Sequence, residues 1–100
     1  MASVVKTFFA YSLAVLGNNS RQAICSQVAR LLREERQKQG LSLKVLAERA
    51  GLSRQMVSYV EQQERNPTLE TLLRITNALG IRLADVIARA SKVAATKDTN

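Results

Sequence analysis

The sequence predicts an all-α protein with a single helical domain, on the basis of its composition, its length and the spacing of its apolar residues. The chain is 46% apolar but only 4% aromatic, and Leu, Ile, Val and Ala supply most of the apolar content. Such side chains suit a core of packed helices. One hundred residues make one ordinary domain. From residue 21 onwards, apolar residues recur at the three- and four-residue steps of amphipathic helices.

Residues 1–20 form an apolar extension that is predicted to be helical. Its large apolar side chains, from Val5 to Leu16, recur at helical spacing, and Lys6 is its only charged residue. The segment resembles a weak secretory signal but lacks an A-x-A cleavage site, and it is too short to span a bilayer. We expect a helix that covers the domain, a second copy or a protein partner, because its apolar face should not remain in water. The alternative is that the segment is a flexible extension that results from a misassigned start codon.

Residues 21–91 form the predicted domain, which contains five helices. The first helix spans residues 21–39, after a break at Asn18-Asn19-Ser20. Ser20 is its predicted N-cap, because a serine oxygen accepts a hydrogen bond from the first free N–H groups. Gly40 ends the helix, because glycine adopts the left-handed conformation there without steric cost.

Two short helices follow and meet at a tight turn. Ser42 and Ser53 are the predicted N-caps, and Gly51 lies between the two helices. The second short helix spans residues 54–62, and the polar segment after it ends at Pro67, which cannot continue a helix.

A fourth and a fifth helix complete the domain. Thr68 caps the fourth, Gly80 ends it, and the fifth continues to about Ser91. Beyond Ser91 the run of large apolar residues stops, so residues 92–100 are expected to form a flexible tail.

The net charge of +7 favours a polyanionic partner. The chain has no His and one Cys, which excludes a Cys/His zinc site, an internal disulfide and His-based acid–base catalysis. No phosphate-binding glycine loop or nucleophile elbow is present. We therefore expect no enzyme activity, no cofactor, no metal and no membrane association, and a cytoplasmic location. The single Cys25 is expected to be a small buried hydrophobe.

Residues 43–62, LKVLAERAGLSRQMVSYVEQ, have the layout of a helix-turn-helix. Ala47 is small enough for two helices to cross, Gly51 supplies the positive φ of the turn, and Val57 and Val60 would lock the second helix onto the first.

The longer stretch from Leu31 to Ala90 resembles the Xre-like family, which includes lambda repressor and Cro. The resemblance lies in LAERAGLS through the turn, Glu61 at the end of the second short helix, RNPTLETL and the closing ALGI. It implies a five-helix, lambda-repressor-like DNA-binding domain, which acts as a dimeric transcriptional regulator on double-stranded DNA with near-palindromic operators.

The resemblance also assigns residues to the interface with DNA. Residues 54–62 become the recognition helix, and the predicted base readers are Arg54, Gln55, Ser58 and Tyr59. Tyr59 could instead bond a phosphate, or pack against Leu52 or the following loop. The predicted contacts to the DNA backbone are Ser42, Lys44, Gln63, Arg65 and Asn66. Leu43 stands where the family often has Gln, so it is assigned to packing.

Further pairs and surfaces follow from the same resemblance and from the apolar pattern. Arg36 and Glu61 are predicted to form a partly buried ion pair between the first helix and the recognition helix. The predicted seam of the homodimer is Ile81, Leu83, Val86, Ile87 and Ala90. An alternative function is an antitoxin-type module that holds a protein partner through its N-terminal or C-terminal segment and also binds DNA.

Overall fold

The computed structural model describes residues 18–99 of the chain, and the side chains of residues 20–95. Within the described part the protein consists of five α-helices without strands, which confirms the all-α prediction. In chain order the helices are α1 (Asn18–Lys38), α2 (Leu43–Ala50), α3 (Arg54–Glu61), α4 (Leu69–Leu79) and α5 (Leu83–Thr99). The predicted N-terminal extension lies outside the described residues, apart from its last three positions.

The first and the last of these helices, α1 and α5, are longer than the sequence predicts. α1 begins at Asn18, so Ser20 is buried within the helix instead of capping it. α5 continues to Thr99, through the segment that was expected to be a flexible tail. The two helices pack along each other, and the buried Ala90 and Ala94 are small enough for close approach. The helix α5 thus buries a side chain as far along as Ala94, within a segment that lacks large apolar residues.

The N-termini of α2, α3 and α4 are capped by the predicted residues. Ser42, Ser53 and Thr68 have extended backbones, and each side-chain oxygen accepts a hydrogen bond from the backbone N–H three residues further along, at 3.1, 3.0 and 3.1 Å. These bonds satisfy N–H groups that lack partners within the helix.

The turn between α2 and α3 depends on Gly51. Its φ is +68°, and the N–H of the following Leu52 donates to the carbonyl of Ala47 at 2.9 Å. A residue with a Cβ atom adopts this left-handed conformation only at a steric cost. The predicted role of Gly51 is thus confirmed, and the turn lets α3 cross α2 directly after it ends.

All five helices contribute to one hydrophobic core. Its buried members are Val28, Leu31, Leu32, Leu46, Ala47, Val57, Val60, Ile75, Leu79, Val86 and Ala90. Val57 is 0% exposed and Val60 is 4% exposed, so the predicted inward face of α3 is confirmed. Leu43 is half-buried and packs against this core, as expected from its assignment to packing.

Cys25 is exposed, contrary to the expectation that it is buried. Ile24, one residue earlier, is half-buried and packs against the core, so α1 still lies against the domain at this level. Cys25 is turned 100° around the helix from Ile24, and the apolar pattern alone does not show how far around α1 the buried face extends.

The predicted dimer seam is wrong for three of its five residues. Leu83, Val86 and Ala90 are buried inside the single chain, because α5 closes the core against α1. These side chains face the core of their own chain, so they offer little surface to a second copy. Ile81 is half-buried against the core, whereas Ile87 is 41% exposed.

None of the described helices is long and apolar enough to span a membrane.

Candidate nucleic-acid interface

The helix α3 presents a polar face on the side opposite its core residues. Val57 and Val60 are buried, while Arg54 and Gln55 are exposed and Ser58 is half-buried. Positions 54, 55 and 58 lie away from positions 57 and 60 because successive residues of an α-helix are 100° apart. The structure therefore exposes the polar face predicted to read bases.

Tyr59, the fourth predicted base reader, contacts two other side chains of this surface. Its hydroxyl oxygen accepts a hydrogen bond from Nε2 of Gln55, one helical turn earlier. The guanidinium carbon of Arg65 lies 4.5 Å from the centroid of the Tyr59 ring, within the range of a cation–π contact. Of the packing alternatives for Tyr59, the structure shows the one against the loop that follows α3.

Gln62 belongs to the same polar face and is a further functional candidate that sequence reasoning missed. It is the exposed C-cap residue of α3, and its Nε2 donates to Oγ of Ser58 at 3.2 Å. The four-residue spacing between Ser58 and Gln62 is the signal that could have identified it.

The chain leaves α3 through a left-handed residue that is not glycine. Gln63 has a φ of +58°, and the following N–H, that of Glu64, donates to the carbonyl of Tyr59 at 2.9 Å. Oε1 of Gln63 accepts a hydrogen bond from Oγ of Ser26 on α1 at 2.8 Å. This bond ties the start of the loop to α1, and sequence reasoning missed Ser26 because the contact joins residues far apart in the chain.

The predicted ion pair between Arg36 and Glu61 is present. The two side chains are 12% and 6% exposed, and Nε of Arg36 lies 2.7 Å from Oε2 of Glu61. The hydrogen bond from Arg36 to Glu61 raises the pKa of the guanidinium, against the opposing effect of burial. The guanidinium therefore stays charged, and the pair joins α1 to the last residue of α3.

The remaining predicted backbone-contacting residues lie on the surface around α3. Lys44, near the start of α2, and Asn66, in the loop after α3, are both exposed. Ser42 is exposed and its Oγ accepts the capping hydrogen bond, which leaves its hydroxyl proton free to donate. These residues could all reach a polyanion without rearrangement of the core.

The chain matches known proteins over this same region. The family model described as "Helix-turn-helix" matches residues 32–86. An uncharacterised HTH-type transcriptional regulator, y4dJ of Sinorhizobium fredii, is 36% identical over 67 residues, which cover 67% of this chain and 82% of that protein. The chain spans about a third of the length of other curated regulators that it matches.

Solved structures of regulators share the fold. The clp gene regulator ClgR of Corynebacterium glutamicum superposes with a TM-score of 0.68 at 28% identity, over 76% of this chain and 81% of that chain. The restriction-modification controller protein C.AhdI of Aeromonas hydrophila superposes with a TM-score of 0.59 at 35% identity, over 63% of this chain and 94% of that chain. With the capped α2 and α3, the turn at Gly51 and the family match over more than half of its length, the chain belongs to the helix-turn-helix family of transcriptional regulators.

Proposed function

We propose that the protein is a dimeric, sequence-specific regulator that inserts α3 into the major groove of double-stranded DNA. The observation that carries this proposal is the division of α3 into a buried apolar face and an exposed polar face. The helix is also held at both ends, by the Ser53 cap and by the pair between Glu61 and Arg36. A rigid helix with outward polar side chains is what readout of base edges requires.

The proposed base readers are Arg54, Gln55, Ser58 and Tyr59. The guanidinium of Arg54 can donate two hydrogen bonds to the O6 and N7 acceptors of guanine. The amide of Gln55 can pair with the N6 donor and N7 acceptor of adenine. Each good bidentate contact discriminates against a wrong base by about 1–3 kcal/mol.

Contacts to the DNA backbone would position α3 in the groove. We assign them to Ser42, Lys44, Gln63, Arg65 and Asn66, which flank α2 and α3 on the exposed surface. The net charge of +7 supports binding to a polyanion and predicts affinity that falls steeply with salt.

Dimerisation would place two recognition helices on near-palindromic DNA. The remaining candidates from the predicted seam are Ile87, which is 41% exposed, and the half-buried Ile81. A large apolar side chain that the fold leaves in water is a candidate for contact with a second copy. A protein partner held through the N-terminal extension stays a prediction.

The proposal is tested by selection from a library of randomised DNA duplexes, followed by fluorescence anisotropy on the selected duplex and on a shuffled one. We expect the wild-type protein to bind the selected duplex about a thousandfold more tightly. Arg54→Ala should lose about 1–3 kcal/mol more on the selected duplex than on the shuffled one. Arg89→Ala, which removes an exposed positive charge from α5, is the matched control and should weaken both duplexes alike. Equal binding to both duplexes by the wild-type protein would overturn the proposal.

A further inference from the structure

We propose that Arg65 is a positioning residue for base readout, which holds Tyr59 and, through it, the amide of Gln55. This inference rests on the proposed function, and it gives Arg65 a second role besides a contact to a phosphate. It is carried by the two contacts of Tyr59, one to its ring and one to its hydroxyl.

Tyr59 is restrained at both ends of its side chain. The guanidinium of Arg65 covers one face of the ring, at 4.5 Å from the centroid. The hydroxyl oxygen accepts a hydrogen bond from Gln55. Arg65 lies in the loop and Gln55 lies in the first turn of α3. The three side chains therefore link the loop after the recognition helix to the start of that helix.

The hydrogen bond to Tyr59 orients the amide of Gln55. A glutamine amide has two N–H donors and one oxygen acceptor, and Tyr59 takes one of the donors. The second donor and the oxygen stay available, and these are the two groups that pair with N7 and N6 of adenine. An amide held in one orientation presents them together, without losing side-chain freedom when DNA binds.

The loop geometry makes this role possible for Arg65. Gln63 takes the left-handed conformation and bonds to Ser26, which turns the chain back beside α1 directly after α3. The loop thus returns Arg65 to the ring of Tyr59. Stacking on the ring still leaves the N–H groups at the edge of the guanidinium plane free to reach a phosphate.

A positioning role and a phosphate contact differ in what their loss changes. Losing a phosphate contact weakens all DNA sequences alike and reduces the salt slope by about 1. Losing a positioning contact changes the discrimination between bases at the position that Gln55 reads. Lys44 is the matched control, because it is an exposed cation without an aromatic neighbour among the described contacts.

The first experiment uses a duplex selected from a randomised library by the wild-type protein. Its Gln55 position is the base pair at which Gln55→Ala loses discrimination. We expect Arg65→Ala to reduce discrimination there by about two- to fivefold, the effect of losing an exposed cation–π contact. Lys44→Ala should lower affinity without changing discrimination. In a Tyr59→Phe background, where the hydroxyl bond to Gln55 is absent, Arg65→Ala should change discrimination no further.

The second experiment observes Tyr59 in the free protein. The chain has two tyrosines and no tryptophan, so Tyr11→Phe leaves Tyr59 as the sole tyrosine. In that background, Arg65→Ala should change the tyrosine fluorescence and near-ultraviolet circular dichroism, whereas Lys44→Ala should leave both unchanged. Unchanged spectra on loss of Arg65 would overturn the contact itself.

The two proposals fail in different ways. If the wild-type protein selects no sequence from the library, the proposed function is overturned, and the positioning role with it. If a sequence is selected but Arg65→Ala alters only the overall affinity and the salt slope, the positioning role alone is overturned.

Discussion

Arg36 and Glu61 form a two-point contact that joins α1 to the recognition helix. Nε of Arg36 donates to Oε2 of Glu61 at 2.7 Å, and Nη2 donates to Oε1 at 3.0 Å. Nη1 of the same guanidinium donates to the carbonyl of Leu41 at 2.8 Å. One planar side chain thus fixes the end of α3 and the segment between α1 and α2 at the same time.

Loss of the Glu61 carboxylate should destabilise the fold strongly. Glu61→Ala leaves the nearly buried charge of Arg36 without its partner, and we expect the free energy of unfolding to fall by about 3 kcal/mol. Urea denaturation followed by circular dichroism measures this change.

The exposed pair of Arg30 and Glu34 on α1 supplies the control for this experiment. Its two side chains are 50% and 53% exposed, and its ion-pair distance is 3.3 Å. Glu34→Ala should therefore change stability by no more than about 0.5 kcal/mol. Equal effects of the two substitutions would mean that the buried Arg36–Glu61 pair contributes no more to stability than an exposed ion pair.

Local chemistry explains why much of the fold could be predicted from the sequence. Ser53 and Gly51 form hydrogen bonds only with backbone groups a few residues away. Their roles as cap and turn residue can therefore be predicted from the local sequence. The pair of Arg36 and Glu61 was predicted from the family resemblance, because no local rule joins residues so far apart.

Contacts that depend on the path of a loop could not be predicted in this way. The stacking of Arg65 on Tyr59 requires the turn at Gln63, where no glycine marks a left-handed residue. The predicted dimer seam is wrong for a different reason. An apolar stripe on α5 indicates that one face of the helix is buried, but it does not show whether the chain's own core or a second copy buries that face. Val86 and Ala90 are buried in the chain's own core.

Gln63→Gly should stabilise the protein despite the loss of a hydrogen bond. The left-handed backbone at φ +58° costs about 1 kcal/mol or more for a residue with a Cβ atom. The exposed bond to Ser26 offsets about 0.5 kcal/mol of that gain. We expect a net increase of about 0.5 kcal/mol, and about 1 kcal/mol in a Ser26→Ala background, where the bond is already lost.

The reverse substitution at Gly40 is the control for the Gln63 experiment. Gly40 has a φ of +70°, and an added Cβ atom would meet nothing within 4 Å, so Gly40→Ala isolates the backbone cost. It should destabilise the protein by about 1–2 kcal/mol in urea denaturation. If Gln63→Gly lowers stability in both backgrounds while Gly40→Ala behaves as expected, the conformation at Gln63 is not strained.

Ile87→Asp should separate the proposed dimer into folded monomers. Ile87 is 41% exposed on α5, so the substitution disturbs the chain's own core little but places a charge in the apolar contact between two copies. We expect the dissociation constant of the dimer to rise at least about tenfold, which corresponds to about 1.4 kcal/mol. Sedimentation velocity over a concentration series measures this dissociation constant, and circular dichroism should show unchanged helicity.

The control for this experiment is Ala88→Asp. It adds the same charge at the adjacent exposed position, 100° further around the helix, and should leave the dimer intact. A dimer that survives Ile87→Asp would place the interface on another surface, where the exposed Leu69 and Leu73 of α4 are the next residues to substitute.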